Sequence, residues 1–296
     1  MAKKISLPPC DANEITYIFE YILFDNPIVF YVSSFTLEQF KHENLFYPRY
    51  IHSMRQIEKN KRIAVNYLHV FERVKNYNDL DKELFIHDYC LNYFDYDYKF
   101  NEYSYSILGA VLQQSAVCEG ISKFVKFALD SVGVKSLMVK GEAVDPTTKK
   151  TESHAWNIVN ISNRYFHLDV TFDMTLKKNT NRYDYFNLSD EDMKKDHIVN
   201  LPVPKCINEG FDYYMVNNMT VSTPAQLSSY IEDCLTRNQK NIHVKLQKIK
   251  HPKTVVDKVI KIALDRYIRV HQKSASIDVL YNITQGVFEL NFKNPA

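Results

Sequence analysis

Glycine is scarce in this chain, with 6 in 296 residues, and tryptophan occurs once. With only 10 prolines as well, a linker-rich or low-complexity chain is excluded. The 21 Tyr and 18 Phe argue for dense packing instead. Neither sign of charge dominates: 37 basic residues face 35 acidic ones, for a net +2. That removes the electrostatic case for nucleic acid or an anionic membrane as partner. The most apolar stretch, Ile15 to Val32, is interrupted by Glu20, Asp25, Asn26 and Pro27, so no membrane span is expected. The start, Met1 to Pro9, lacks the apolar segment of a secretory leader. A cytoplasmic protein is the expectation, although a leader already removed would leave the same picture. The five cysteines (Cys10, Cys90, Cys118, Cys206, Cys234) are odd in number and widely spaced. Free thiols are therefore expected rather than a disulfide framework or a zinc ribbon.

What is there is a chain of mixed elements. Ile15, Ile18, Phe19, Ile22 and Leu23 have helical spacing, stopped by Asp25-Asn26-Pro27. A strand is expected at Ile28 to Val32, and helices over about 49 to 75 and from Leu80 to Phe94. His87 falls on the second stripe as a core or capping histidine. Tyr93 to Tyr105 is tyrosine-rich but carries Asp95, Asp97 and Glu102. It is too acidic to stack bases, and suits a cleft wall or packing. A helix headed by Cys118 follows, with Ile121, Phe124, Val125, Ala128, Leu129 and Val132 as its stripe and Gly133 as its stop. Val134 to Val139 reads as a strand.

Ser153 to Ile161 and Arg164 to Thr171 read as two strands joined by a two-residue turn at Ser162-Asn163. Ser189 to Asp192 is a capping signal, and Leu201-Pro202-Val203-Pro204 the best linker. Beyond it strand and helix alternate: Tyr213 to Val221, Ala225 to Arg237, Ile242 to Ile249, Val255 to Val270, Ala275 to Tyr281 and Val287 to Phe292. This suggests a small α+β module, ferredoxin-like in outline. The basic stretch Asn241 to Lys253 reads as solvated surface.

Cys118, His154 and Asp169 carry the chemistry. Cys118 opens a helix, where unpaired N–H groups and the macrodipole favour an anion. A thiolate is the nucleophilic form, and the same N–H groups can serve as an oxyanion hole. With Ser162-Asn163 as the turn, cross-strand partners sum to 325. His154, Trp156 and Asp169 then share one sheet face, His154 and Asp169 being diagonal neighbours about 7–8 Å apart. The other face, with Ala155, Val159, Phe166, Leu168 and Val170, reads as core, Asn157 being its one polar member. An imidazole beside a carboxylate and a thiol makes a base, its orienter and a nucleophile. The remaining cysteines read as small core hydrophobes, His167 as structural or cleft-lining, and Trp156 as a packing wall. The trio lacks the local ligand pairs zinc prefers, so no metal is expected.

The strings Val117-Cys118-Glu119-Gly120, His154-Ala155-Trp156-Asn157 and His167-Leu168-Asp169-Val170-Thr171-Phe172-Asp173 resemble the transglutaminase-like superfamily, within the papain-like thiol fold, and bacterial transglutaminase-like domain proteins in particular. The likeness continues through Arg182 to Asp190 and is specific over about residues 80 to 200. It departs where Gln113-Gln114-Ser115-Ala116 replaces a frequent glycine before Val-Cys, and where Ile121 replaces a frequent tyrosine.

The resemblance implies an α+β core: a helix bearing the cysteine, packed on an antiparallel sheet bearing the histidine and aspartate. The expected organisation is an N-terminal mostly helical region (1–78), the catalytic core (79–200) and the α+β module (205–296). It also implies thiol acyl transfer at amide bonds of peptides or proteins, as a cysteine hydrolase or transamidase without a cofactor. Cys118 would be the nucleophile, His154 the base and Asp169 its orienter. Gln113, Gln114 and Tyr96 are candidates for completing the oxyanion hole. No acidic calcium loop is visible. Two alternatives stay open: a catalytically silent binding module on the same fold, and an acyltransferase using an acyl-thioester. The latter class carries an Arg-Gly-Gly run before its cysteine that is missing here.

Overall fold

The computed structural model describes residues 4–178, 180–207, 210–271 and 275–293. The start read above for a secretory leader, Met1 to Pro9, thus lies partly outside it. Strand β1 (Ile5–Leu7) precedes helix α1 (Ala12–Asp25), which ends at Asn26 ahead of Pro27 as expected. Strands β2 (Val32–Gln39) and β3 (Asn44–Tyr50) join β1 in an antiparallel sheet ordered β1-β3-β2. Helix α2 (Met54–Tyr67) starts with a capping box of Ser53 and Gln56 and runs into a 3-10 turn, Leu68–Val74.

Three expectations are corrected here. The strand placed at Ile28 to Val32 lies at Val32–Gln39, the helix placed from about 49 starts at Met54, and the 1–78 region mixes strands with helices. The cause is aromatic: Phe46 on β3 stacks on Phe35 at 4.8 Å and meets Phe19 of α1 at 5.8 Å. Such rings suit a half-buried pleated surface, and their partners are remote in sequence.

Helix α3 (Asp79–Tyr93) leads to strand β4 (Asp95–Tyr96), a π-helical turn (Gly109–Gln113) and strand β5 (Ser115–Ala116), parallel to β4. Helix α4 (Cys118–Ser131) follows, and Gly133, at φ +82°, turns the chain out of it. Strands β6 (Ser136–Val144), β7 (Thr151–Ile161) and β8 (Arg164–Leu168) form an antiparallel sheet. Helices α5 (Val170–Leu176) and α6 (Asp190–Met193) precede strand β9 (His197–Val199), which completes the order β8-β7-β6-β9.

Phe124, Val125, Ala128 and Leu129 of α4 are buried with Val159, Ile161, Phe166 and Leu168 of the sheet. At about 1.5–3 kcal/mol for each large apolar side chain buried, this packing fixes α4 on the sheet. The other face is covered as well: Trp156 and Ile158 are buried with Tyr185, Leu188 and Met193. The face read as holding the candidate base and carboxylate is thus itself packed, with Trp156 as the packing wall expected.

The register expectation holds. Ser162 and Asn163 have φ of +52° and +63°, as a two-residue turn of type I′ requires. Ile161 pairs with Arg164 and Asn157 with Leu168. The second strand, however, ends at Leu168 and not at Thr171. The Asp169 side chain accepts the Phe172 N–H at 3.0 Å and starts α5.

The C-terminal residues form helix α7 (Tyr213–Val216), strand β10 (Thr220–Val221), helix α8 (Pro224–Thr236), strand β11 (Asn241–Leu246), helix α9 (Pro252–His271) and strands β12 (Ser276–Asn282) and β13 (Val287–Lys293). Their sheet, ordered β10-β11-β13-β12, has its own core including Leu227, Ile231, Val244, Val256 and Phe288. The βαβαββ succession is not the ferredoxin-like one. Tyr213 to Val221 is not a continuous strand, because Asp212 caps a helical turn there by accepting from the Tyr214 and Met215 N–H groups. Nor is the stretch Asn241 to Lys253 all solvated, since Lys245 is buried in an ion pair with Asp212. The whole is an α+β fold, and no helix among the described residues is long and apolar enough to cross a membrane.

Candidate active site

Cys118 is the first residue of α4, and its preceding residue, Val117, offers no side-chain cap. The first N–H groups of the helix are thus left without a capping side chain. The chain reaches this position only because residue 120 is glycine. A β-carbon there would meet the Ser104 carbonyl oxygen at 2.1 Å. Ser104 in turn accepts the Val117 N–H at 3.1 Å. The Cys-Glu-Gly string is therefore a packing requirement of the loop that presents the thiol.

Two hydrogen bonds fasten this helix to β7. Asn157 Nδ2 donates to the Ser122 carbonyl, and Ser122 Oγ donates to the Ala155 carbonyl, each at 3.0 Å. The polar residue on the apolar face thus has a partner across the layer, and it lies three residues from His154.

His154 and Asp169 meet as the register reading expected. His154 Nε2 lies 2.6 Å from Asp169 Oδ2, both residues being buried. The Cys118 thiol lines the same cleft as the imidazole and favours its charged form. With Nε2 on the carboxylate, Nδ1 is the nitrogen left for sulfur. Burial works against charge on this ring, but Asp169 and then Cys118 outweigh it and push the imidazole up to about 10. Burial likewise works to raise the Asp169 carboxyl. His154 and His197 overcome it and hold it well below the usual carboxylate range.

His197 was not singled out from the sequence, and Asp196-His197 has no local signal that would single it out. On β9 its Nε2 is 3.1 Å from Asp169 Oδ2 and its Nδ1 2.7 Å from Asp196 Oδ1. Phe172 stands over both imidazoles, with ring centres 5.0 Å from His154 and 4.6 Å from His197. Trp156 is fully buried and stacks at 5.9 Å from His154. Its indole is seated against Gly141, where a β-carbon would come within 2.7 Å of the ring.

Trp156 Nε1 donates to His167 Nδ1 at 3.0 Å. Indole nitrogen can only donate, so Nδ1 is unprotonated and Nε2 carries the proton toward Asp190 Oδ1, 3.0 Å away. His167 is therefore structural. His87 is a buried core histidine, 3.0 Å from Asp173.

Among the described residues, two groups bring metal-binding atoms within 4.8 Å of one another: His154, Asp169 and His197, and His167, Asp190 and Cys206. In both, the imidazole nitrogens concerned are already committed to carboxylates as hydrogen-bond donors, and the trio Cys118, His154 and Asp169 is not itself such a group.

A cleft of about 720 Å³ exposes Cys118 and His154. Tyr96, Tyr98, Phe100, Val144, Pro146 and Phe172 wall it, so the tyrosine-rich link is a cleft wall. Of the three oxyanion candidates, Tyr96 lines this cleft and Gln113 and Gln114 do not. The Tyr96 hydroxyl lies close enough to Cys118 for the two to influence each other's charge. Burial, and then the neighbouring thiol, push its hydroxyl up to about 12.

Residues 69–170 match the family described as the transglutaminase-like superfamily. Three solved structures are similar to the chain. A TGase shares 14% identity over 62% of this chain and 55% of its own, with a TM-score of 0.35. A protein described as a candidate cysteine protease from Cytophaga hutchinsonii shares 9% over 47% of this chain and 61% of its own, with a TM-score of 0.31. Calcium-bound LapG from Legionella pneumophila shares 14% over 54% of this chain and 90% of its own, with a TM-score of 0.29. The chain thus spans less than two thirds of the first two. No curated protein sequence matches it.

Proposed function

Residues 69–170 belong to the transglutaminase-like superfamily, and on that premise we propose that this chain is a thiol enzyme that transfers acyl groups from amide bonds of peptides or proteins. The observation that carries the proposal is the position of His154, tied to Asp169 at 2.6 Å in the cleft that also holds a thiol at a helix N-terminus.

Cys118 yields its proton to His154 Nδ1, and Asp169 stabilises the imidazolium. The thiolate attacks the amide carbonyl carbon, and the oxygen takes up negative charge beside the first N–H groups of α4 and the Tyr96 hydroxyl. Collapse breaks the C–N bond, the amine leaves with the proton from His154, and a thioester remains on Cys118. Water, deprotonated by His154, releases the acid; an amine in its place gives a transamidation product.

The edge of β7 supports an extended peptide as donor. Pairing with β8 stops at Asn157. Hydrogen-bonded pairs alternate along an antiparallel ladder, and the pair flanking the two-residue turn, Ile161 and Arg164, is one of them. The odd-numbered residues of β7 therefore point their backbone groups toward β8. Past its end, those of Ser153 and Thr151 face the open edge beside His154. An extended segment can add there as a strand, its side chains against Tyr96, Tyr98 and Phe100.

Incubation with peptide libraries followed by mass spectrometry tests this. An acyl adduct on Cys118, missing in Cys118→Ser, is expected. Its absence, with a Cys118 no more reactive than the other thiols, would point to a silent binding module.

A further inference from the structure

We propose that His197 is a second positioning residue for Asp169, clamped from behind by Asp196, and that the turn between β12 and β13 supports this clamp from the C-terminal sheet. The proposal rests on the acyl-transfer reading above and adds a residue and a region to it.

The geometry is a continuous row. Asp169 Oδ2 accepts from His154 at 2.6 Å and from His197 at 3.1 Å, while its Oδ1 is fixed by the Phe172 N–H at 3.0 Å. All three bonds hold the carboxylate in one plane and position. His197 faces a carboxylate at each nitrogen. Ionised carboxylates only accept, so both bonds form fully when the ring is an imidazolium. Charges along the row then alternate between the carboxylates of Asp196 and Asp169 and the imidazoliums of His197 and His154.

The groups facing His197 are these two carboxylates, His154 and the rings of Trp156, Phe172 and Tyr185, with His167 near enough to feel its charge. Burial disfavours its charge, and the pairing with Asp169 and Asp196 overrides that.

The row continues beyond the core. Tyr185 donates its hydroxyl to Asp196 Oδ2 at 2.6 Å, and Asn282 Nδ2, at the end of β12, donates to that hydroxyl at 3.2 Å. Gln285, in the turn, donates to the Asp192 carbonyl at 3.1 Å and approaches both Asp196 oxygens at 3.4 and 3.5 Å. Asn282 and Gln285 are themselves buried and joined by a 3.2 Å bond. A carboxylate that must neither rotate nor take a proton is thereby held by groups from two sheets, a supporting shell of the kind that fixes catalytic geometry.

The test is the rate of Cys118 alkylation by iodoacetamide, followed by peptide mapping from pH 5 to 9 in the full chain. His197→Phe removes both donors, and His197→Gln keeps one toward Asp169. With the clamp lost, the Asp169 carboxylate is free to turn from His154, and losing that 2.6 Å bond outweighs the removal of the positive His197 ring 5.4 Å away, so His154 holds its proton less well and the rise of the rate moves to higher pH. The His197→Phe rate at pH 6.5 is expected to fall about tenfold, with most of it recovered by His197→Gln, and Asn282→Ala is expected to move in the same direction by less. A His197→Phe profile that superimposes on the parent's, or a His197→Gln variant no better than His197→Phe, would overturn the clamp. Should His197→Phe fail to fold by circular dichroism, Asp196→Asn replaces it, and an unchanged profile there overturns it equally. A parent whose Cys118 is no faster than the other cysteines would instead overturn the acyl-transfer reading itself.

Discussion

Asn157 on the sheet and Ser122 on the helix hold each other across the layer, the amide of one donating to the carbonyl of the other at 3.0 Å. The strand carrying His154 is thereby fixed to the helix carrying Cys118. Replacing Asn157 with leucine keeps the branched shape, at somewhat greater bulk, but leaves the Ser122 carbonyl without this donor. The expected cost is about 1–3 kcal/mol, read from denaturant melts, with Cys118 alkylation slowed severalfold in the folded variant. A destabilised protein with undiminished Cys118 reactivity would show that this bond serves the fold alone.

Among the five thiols, Cys90, Cys206 and Cys234 are buried, and Cys10 is as partly exposed as Cys118. Exposure alone would therefore label Cys10 and Cys118 alike. An activated Cys118 should react with iodoacetamide at least about tenfold faster than Cys10 at pH 7, and His154→Ala should remove most of the difference. Equal labelling in the folded protein rules out an activated thiol.

Tyr96→Phe separates the oxyanion role from thiol activation. Alkylation develops no oxyanion, so its rate should stay within about twofold. Acylation of Cys118 by an activated ester passes through one, and should slow by about ten- to a hundredfold. Equal changes in both rates would remove Tyr96 from the oxyanion site.

Gly120→Ala should destabilise the protein even though alanine is the better helix former by about 1 kcal/mol. The new β-carbon meets backbone, the Ser104 carbonyl oxygen, which has no flexible end to swing away. A net loss of about 1–3 kcal/mol is expected, measured by chemical denaturation. A neutral or stabilising outcome would show that the loop at Ser104 yields freely.

The pH dependence of stability follows from the His154–Asp169 pair. His154 is raised in the folded protein to about 10, so its contribution is complete below the unfolded imidazole value of about 6.5 and is lost as pH rises through about 10. Asp169 is lowered, so its contribution is present above the unfolded value of about 3.9 and is lost as pH falls below it. In a Cys118→Ala background, which leaves the Asp169 share, the difference in Tm between the parent and His154→Gln should be greatest near pH 5–6 and shrink toward pH 10. A difference that grows with alkaline pH would reverse the sign argued here.

The sequence was most informative where one short stretch fixes its own geometry. The 3.6-residue stripe behind Cys118 and the Ser162-Asn163 turn needed no distant partner. From the turn alone the register followed, and with it the approach of His154 to Asp169. Legibility failed where partners are far apart. Nothing local in Leu45 or Phe46 distinguishes a strand from the start of a helix; rings on α1 and β2 decide it. Asp169 was placed on a strand because its capping of Phe172 is a choice made by one side-chain oxygen.

The sequence by itself thus determined the helix that presents a thiol and the hairpin that pairs an imidazole with a carboxylate, since both are set by neighbours in the chain. Only the tertiary structure decided that the thiol and that imidazole line one cleft, that Tyr96 and not Gln113 or Gln114 lines it with them, and that His197 and Asp196 stand behind Asp169. Those relationships join residues such as Asp169 and His197, 28 positions apart, and their geometry comes from layers packing on one another. No spacing in the chain encodes it.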